Sequence, residues 1–175
     1  RVGLGYEFAN GMTPYVSAST FFNPVIGVIS TGPLKPEEGY QYEAGIKYEP
    51  DFVDGVFGVS AFQITKQNWT VTDSLTFLQS QIGEVKSTGV ELEGKVNLNE
   101  SWRAIGAVAY QHLEITNHVD TALIGNSPYL IPKVTASMWL DYTLPENWVD
   151  GVSVGGGLRY KGESWADYDN TLKVP

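Results

Sequence analysis

The most constraining feature of this 175-residue chain is a strict alternation of apolar and polar side chains within residues 83–98, which read GEVKSTGVELEGKVNL. From position 88 onward the even positions are Thr88, Val90, Leu92, Gly94, Val96 and Leu98. The odd positions are Gly89, Glu91, Glu93, Lys95 and Asn97. Successive side chains of a strand point to opposite faces, so the alternation predicts a β-strand with one apolar face and one charged face.

Similar stretches recur along the chain, separated by turn and loop sequences. We predict strands over residues 1–8, 13–22, 40–49, 56–67, 83–98, 102–116, 133–144 and 152–162. In the stretch 56–67, Phe62 and Ile64 are assigned to the apolar face, although its first half is apolar on both faces. Short turns alternate with long links, which cover 23–39, 68–82, 117–132 and the residues after 162. The predicted fold is all-β, an antiparallel up-and-down meander of about eight strands.

The links and the strand ends together favour a segment of a large transmembrane outer-membrane β-barrel. Such barrels have short periplasmic turns, longer extracellular loops and an apolar band about 25 Å tall, which a tilted strand of about ten residues spans. Aromatic residues, which form girdles at the edges of that band, stand at the predicted strand ends: Tyr40, Tyr48, Trp102, Tyr142, Trp148 and Tyr160. A soluble β-sandwich or jelly roll remains the alternative, because a sheet with one wet face alternates in the same way.

The composition excludes several classes of function. The chain has 19 Gly, 10 Tyr, 7 Phe and 5 Trp but only 11 Lys plus Arg, and its formal net charge is −9. Binding to a nucleic-acid backbone needs clustered cations, which this composition lacks. The absence of cysteine excludes disulfides, thiol catalysis and cysteine-based zinc sites. No apolar run approaches the roughly 18 residues of a membrane helix.

The two ends of the chain indicate a piece of a longer protein. Arg1 leads directly into a predicted strand, with no signal peptide before it, and Pro175 falls in a loop. We therefore expect residues 1–175 to be one part of a larger barrel.

Four segments of the chain carry a resemblance to a known family. They are LKPEEGYQYEAGIKY at 34–48, FQITKQN at 62–68, QIGEVKSTGVELE at 81–93 and GGGLRYKGESWADYDNTLKVP at 155–175. Together they resemble TonB-dependent siderophore receptors of the ferrichrome, or hydroxamate, type. The resemblance covers nearly the whole chain, and its motifs are specific as a set rather than singly.

The resemblance implies a receptor that binds a ferric siderophore on its outer face and imports it with energy supplied through TonB. It implies that residues 1–175 are a late part of the barrel wall, with the N-terminal plug domain, the earlier strands and the C-terminal strands absent. The expected partners are the ferric siderophore, outer-membrane lipid and TonB, the last through the absent N-terminal region. No cofactor is expected, because the iron arrives saturated by its chelate. The expected location is the bacterial outer membrane, crossed several times.

Charged residues on the predicted polar faces form the first candidate site. They are Glu43, Lys47, Glu91, Glu93, Lys95, Asp141 and Arg159. Glu91 and Glu93 share a face, so they could serve as the acid and base of a glycosidase. We favour lumen-facing charges that pair with neighbours or with the plug, because the interiors of membrane barrels are polar. No catalytic residue is assigned.

The two histidines offer a weaker candidate, a metal site. His112 and Glu114 share a strand face, and His118 lies in the following loop. Two histidines and one glutamate are few ligands for a metal ion. We therefore interpret both histidines as surface residues and assign no metal site.

Aromatic residues of the long links are the candidate ligand-binding residues: Phe77, Tyr129, Trp165 and Tyr168. A chelate offers apolar surface and hydrogen-bond acceptors to such rings. A place in the interface girdle, or packing within the loops, is the alternative role for each of them.

Two other functions are compatible with the sequence. One is a soluble all-β binding or carbohydrate-active module that uses the Glu91 and Glu93 face, and the other is a passive porin. A barrel wall places its apolar faces against lipid, whereas a soluble sandwich packs them against a second sheet. The residues that distinguish the two folds are Val90, Leu92, Met138, Val154 and Leu158.

Overall fold

The structure, a computed structural model, describes residues 1–26, 28–29, 32–72, 79–145, 148–149 and 151–175. Over these ranges the chain forms one antiparallel sheet of eight strands and two short two-stranded ribbons. Strands that are adjacent in the sheet follow one another along the chain, so the sheet is an up-and-down meander, as predicted. The sheet is open, with one edge at its first strand and the other at its last. Within the described ranges, no helix is long and apolar enough to span a membrane.

The elements follow in chain order. The strands are β1 (Val2–Gly5), β2 (Met12–Asn23), β3 (Val28–Ile29), β4 (Gly32–Pro33), β5 (Glu37–Tyr48), β6 (Asp54–Thr72), β7 (Gln79–Asn97), β8 (Trp102–Asn117), β9 (Val134–Thr143), β10 (Ser153–Lys161), β11 (Ser164–Trp165) and β12 (Lys173–Val174). A 3₁₀ helix covers Thr121–Leu123. The ribbons are β3–β4 and β11–β12, and the sheet order is β1-β2-β5-β6-β7-β8-β9-β10.

The pairing register extends the alternation of β7 across the whole sheet. One row of directly opposed residues is Leu4, Val16, Ala44, Ala61, Val90 and Tyr110. The next row on the same face is Pro14, Ile46, Val59, Leu92, Val108, Ala136 and Tyr160. We call this side of the sheet the apolar face. The side that carries Glu43, Glu91 and Arg159 is the polar face.

The apolar face is exposed rather than packed against a second layer. Leu92 is 59%, Met138 55% and Leu158 82% exposed, and Val90 and Val154 are also at least half exposed. Among the described residues the buried hydrophobic side chains are Leu34, Val85 and Ile115. A soluble sandwich would bury its apolar faces between two sheets. The structure therefore gives no support to the soluble module.

Aromatic rings border the apolar face at both ends of its strands. At one end the rings of Trp102 and Tyr142 on adjacent strands lie 4.6 Å apart. Toward the other end the rings of Tyr40 and Tyr42 lie 5.7 Å apart, and the half-exposed Tyr110 occupies the same border. Amphipathic rings at both edges of an apolar band are typical of a membrane-spanning sheet.

The hairpin of β6 and β7 is longer than predicted. The link expected over 68–82 is mostly strand, because pairing continues from Trp69 opposite Ile82 to Thr72 opposite Gln79. Asn68, which looks like the start of a turn, has a φ of 56° and only interrupts the pairing. The paired stretches beyond Asn68 are only four residues each, WTVT at 69–72 and QSQI at 79–82, and the second of them does not alternate, so little in the sequence indicated the extension.

The assignment of Phe62 and Ile64 to the apolar face is wrong. The register places Phe62 opposite Glu43 on β5 and Gly89 on β7, which belong to the polar face. The apolar face of β6 instead carries Phe57, Val59 and Ala61. The ring of Phe62 lies directly over Gly89, so a polar-face aromatic residue covers bare backbone there.

Candidate functional site

The connections of the meander alternate between two ends of the sheet. One end, here the short-turn end, carries the turns over 6–11, 49–53, 98–101 and 144–152. The opposite end, the long-loop end, carries the connections over 24–36, 73–78 and 118–133 and the segment 162–172. Three of the candidate ligand-binding residues, Tyr129, Trp165 and Tyr168, belong to the long-loop end. Phe77 lies outside the described residues.

Two segments of the long-loop end are joined into a unit that we call the loop platform, residues 118–133 and 162–172. The side-chain amide of Asn170 forms a reciprocal pair with the backbone of Ser127, donating to its carbonyl at 2.8 Å and accepting from its N–H at 2.8 Å. Asn126 Nδ2 donates to the carbonyl of Tyr168 at 2.8 Å. Asn170 has a φ of 55°, a left-handed conformation that asparagine tolerates. These bonds fix the two segments to each other.

The loop platform is anchored on the ends of β7 and β8. Tyr168 packs against Val85 and Ile115, which form the buried hydrophobic cluster of this end. The N–H of Ile115 donates to the carbonyl of Asn126 at 2.9 Å, and the N–H of Gly125 donates back to Ile115 at 2.9 Å. The loop platform is therefore fixed to the sheet both by apolar packing and by backbone hydrogen bonds.

Asp167 shapes the second segment of the platform. Its carboxylate accepts a hydrogen bond from the Thr171 hydroxyl and further bonds from the N–H groups of Thr171 at 2.8 Å and Leu172 at 3.2 Å. These donors, the Thr171 hydroxyl first, hold the pKa of Asp167 below its usual range. The loop is therefore held by an ionised carboxylate at neutral pH.

The structure brings Tyr129, Trp165 and Tyr168 into the same platform. The rings of Tyr129 and Tyr168 meet edge to face with centroids 4.8 Å apart. Burial, followed by the neighbouring Tyr129, raises the pKa of Tyr168, whose packing on the buried cluster gives it a structural role. Trp165 lies in β11, where its carbonyl accepts from Leu130 N–H at 2.7 Å and Lys173 Nζ lies 5.2 Å from the centre of its ring.

A cleft of about 240 Å³ opens beside Trp165. Its lining combines rings and charges: Ser127, Lys133, Tyr160, Glu163, Trp165 and Lys173. Lys173 also pairs with Glu163 at 3.3 Å, and both side chains are exposed. The cleft thus presents aromatic surface beside exposed charges, which suits a ligand with apolar and acceptor groups.

The platform gives a prediction about Asn170. Replacing Asn170 with alanine removes both bonds to Ser127, and we expect about 1–3 kcal/mol of local stabilisation to be lost. Hydrogen exchange of residues 118–133 and 162–172 measures this, with faster exchange expected. Asn117→Ala is the matched control, because the Asn117 side chain is exposed and outside the platform. Equal protection in both variants would contradict the docking of the two segments.

A second cluster at the long-loop end was not predicted from the sequence. Glu37 is buried at 5% exposure and joins three strands. Its carboxylate pairs with Lys66 Nζ at 2.8 Å and accepts from Asn23 Nδ2 at 3.0 Å and from the N–H of Thr70 at 2.9 Å. Burial alone would raise the pKa of Glu37, but these donors outweigh it and hold the pKa below its usual range. Glu37 is therefore charged and fully partnered.

The polar-face charges follow the predicted face. The register places Glu43, Lys47, Glu91, Glu93, Lys95, Asp141 and Arg159 on the same side of the sheet. Neutral donors hold two of the carboxylates: Tyr15 Oη donates to Glu43 at 2.6 Å, and Trp139 Nε1 donates to Asp141 at 2.7 Å. The ion pairs recorded over the described ranges join other residues, so none of these charges is neutralised by an opposite charge of the sheet.

The structure places the two histidines in different environments. His112 Nε2 lies 3.5 Å from Glu114 on β8, whereas His118 Nδ1 accepts from the N–H of Asp120 in the following loop. In the part of the chain that the structure describes, no group of three or more potential metal ligands comes together.

The sheet and its two ends define a class of protein. An antiparallel meander with an exposed apolar face, a charged opposite face, aromatic borders and long loops at one end is the wall of a transmembrane β-barrel. The family described as "TonB dependent receptor-like, beta-barrel" matches residues 1–175. The chain belongs to this family, whose members are receptors of the Gram-negative outer membrane and not enzymes.

Individual relatives show the same relationship. The chain is 38% identical to the ferrichrome outer membrane transporter/phage receptor of Escherichia coli K12 over 99% of its own length and 23% of that protein. It is 34% identical to the ferrioxamine B receptor of Salmonella typhimurium over 100% of its length and 25% of that protein. The crystal structure of the siderophore receptor PiuA from Acinetobacter baumannii shares the fold, with a TM-score of 0.74 at 22% identity over 99% of this chain and 27% of that one. The chain spans about a quarter of the length of the curated relatives that it matches.

Proposed function

We propose that the protein binds a ferric siderophore, of the hydroxamate class, at the long-loop end of its barrel and imports it with energy supplied by TonB. The observation that carries this proposal is the similarity of the entire chain to a ferrichrome transporter and a ferrioxamine B receptor within one family of TonB-dependent receptors. The long-loop end supports it, because its platform presents rings and charges at the side that faces the exterior in bacterial barrels.

The described sheet is one segment of the barrel in this proposal. Its edge strands β1 and β10 each have a free side, and the backbone groups of a sheet in lipid must be paired. Further strands therefore continue the wall on both sides. The polar-face charges line the lumen, where a plug domain pairs with them, and the apolar face contacts outer-membrane lipid. TonB engages the N-terminal region, outside residues 1–175.

Tyr129, Trp165, Tyr168 and Phe77 are the proposed ligand-contacting residues. Tyr129 and Trp165 are the best placed, because both are partly exposed on the platform, whereas Tyr168 also serves as its anchor. The rings would contact apolar parts of the chelate while Lys133 and Lys173 lie nearby in the cleft. No protein ligand to the iron is required, because the chelate saturates it.

Transport tests the proposal directly. The complete receptor is produced in cells that lack their own siderophore receptors, and uptake of radiolabelled ferrichrome and ferrioxamine B is measured with and without TonB. We expect TonB-dependent uptake of at least one of these chelates. Receptor that reaches the outer membrane but binds and imports neither would contradict the proposal, and TonB-independent passage of unrelated solutes would favour a passive porin.

The proposed ring contacts give a further prediction. Replacing both Tyr129 and Trp165 with alanine should weaken binding of the ferric chelate by about 10- to 100-fold, since aromatic contacts of this kind contribute on the order of 1–3 kcal/mol. The dissociation constant is measured on purified receptor. Trp148→Ala at the short-turn end is the control, because Trp148 is exposed at the opposite end of the sheet. An unchanged dissociation constant in the double variant would show that these two rings do not contact the ligand.

A further inference from the structure

The β6–β7 hairpin extends beyond the strands on either side of it. The pairing of β5 with β6 ends at Glu38 opposite Gln67, and the pairing of β7 with β8 ends at Glu84 opposite Asn117. Among the described residues, 69–72 and 79–82 beyond these points pair with each other and with no third strand. An isolated two-stranded hairpin is marginally stable in water, so this extension needs support from outside the sheet.

Gln81 supplies a contact of the kind that a third strand would make. Its side-chain Nε2 donates to the carbonyl of Lys35 at 2.7 Å, and its Oε1 accepts from the N–H of Lys35 at 3.0 Å. The same Nε2 also lies 3.0 Å from the carbonyl of Asn68 and 3.2 Å from Thr70 Oγ1. One amide therefore joins both strands of the hairpin to the segment before β5.

The segment before β5 is itself fixed to the hairpin. Leu34 is buried, and Asn68 Nδ2 donates to the carbonyl of Pro36 at 3.0 Å. Glu37 follows, with its bonds to Lys66 and Thr70 on β6, and Lys66 Nζ lies 5.4 Å from the centre of the Trp69 ring. We call residues 34–37 together with Gln81 the clamp. The bonds of the clamp join the connection before β5 to the strands of the β6–β7 hairpin.

We propose that Gln81 and Glu37 are positioning residues that clamp residues 34–37 to the β6–β7 hairpin, and that the clamp holds this hairpin in the geometry that binds the chelate. The second half of this proposal rests on the proposed function. If the hairpin is free to tilt, ordering it costs free energy when the ligand binds. The receptor's affinity for the chelate then falls. The clamp therefore acts on affinity and leaves the later steps of transport unchanged.

The test compares Gln81→Ala with Gln79→Ala in the complete receptor. Gln79 lies two residues away on the same strand, and its side chain makes no hydrogen bond within the described part of the chain. In Gln81→Ala we expect amide exchange of Leu34, Lys35, Glu37 and residues 68–72 to accelerate about tenfold, because hydrogen bonds to two backbone groups of Lys35 are lost. Gln79→Ala should leave this exchange unchanged.

Transport kinetics test the effect on affinity. In Gln81→Ala the apparent KM for the ferric siderophore should rise about tenfold while the maximal rate stays within about twofold, which is the signature of lost ground-state binding. Glu37→Gln keeps an acceptor for Thr70 but loses the charge that pairs with Lys66, so it should shift exchange and KM in the same direction. It also serves as the second variant where Gln81→Ala does not fold.

The two readouts separate the two proposals. Unchanged exchange in both Gln81→Ala and Glu37→Gln would overturn the clamp. Faster exchange with an unchanged KM would overturn its role in affinity. If the unmodified receptor binds no ferric chelate, the proposed function fails, while the exchange measurement still decides whether the clamp holds the hairpin.

Discussion

Replacing Leu92 with arginine should destabilise the membrane-embedded receptor by about 2–4 kcal/mol, the cost of a lipid-facing cation near the middle of the bilayer. Leu92 lies on the apolar face, between Val59 and Val108, and is 59% exposed. An arginine at position 92 would face lipid, and no acid lies opposite it on either neighbouring strand. The measurement is the denaturant midpoint for refolding into lipid vesicles.

Ala109→Arg is the matched control for this substitution. Ala109 lies on the polar face, directly opposite Glu91 on β7 and Thr135 on β9. An arginine there enters the charged face and gains an acidic neighbour, so its effect should be less than about 1 kcal/mol. Equal losses of stability in the two variants would mean that both faces of the sheet contact the same environment.

Replacing Gly89 with valine should destabilise the sheet by about 3 kcal/mol, the upper range for forcing extra atoms into a packed site. A Cβ at Gly89 would collide with the carbonyl oxygen of Tyr110 and lie 2.6 Å from Cζ of Phe62. The ring of Tyr15 covers Gly45, and that of Trp139 covers Gly157, in the same way. Contact between ring and bare backbone is therefore a repeated feature of the polar face.

Gly156→Val tests whether the effect at Gly89 is specific. Gly156 lies on the apolar face of β10, and a Cβ there would meet no atom within 4 Å. This variant should be neutral or slightly stabilising, because valine favours strands and lipid. The measurement is the thermal unfolding temperature of both variants in detergent. A decrease for Gly156→Val as large as that for Gly89→Val would refute the explanation by ring contact.

The sheet was predictable because the sequence of each spanning strand shows by itself which side is apolar and which is polar. In β5, β7 and β10 the alternation is clean, so each strand identifies its apolar side before any pairing is known. In β6 the first half is apolar on both sides, and Phe62 was placed on the wrong face. Only the register, which comes from pairing with β5 and β7, settles which side of that strand faces the charges.

The long-loop end was much less predictable. The sequence indicated that Tyr129, Trp165 and Tyr168 lie in loops, but not that Asn170 and Ser127 would bring two loops together from positions 43 residues apart. The clamp joins Lys35 to Gln81 across 46 residues through a side chain that imitates a strand. Such contacts leave no local periodicity, because an amide that pairs with distant backbone looks like any polar loop residue. The ligand role of the loop rings stays a prediction.

The most direct test of the membrane-wall interpretation is the accessibility of spin labels along β7. The chain contains no cysteine, so single cysteines can replace Val90, Glu91, Leu92 and Glu93 in turn, in a receptor free of other cysteines and embedded in lipid. Collisions with oxygen report lipid, and collisions with a water-soluble nickel chelate report water. We expect labels at Val90 and Leu92 to favour oxygen and labels at Glu91 and Glu93 to be shielded from lipid. Labels that show no alternation, or the opposite one, would contradict a sheet with its apolar face against lipid.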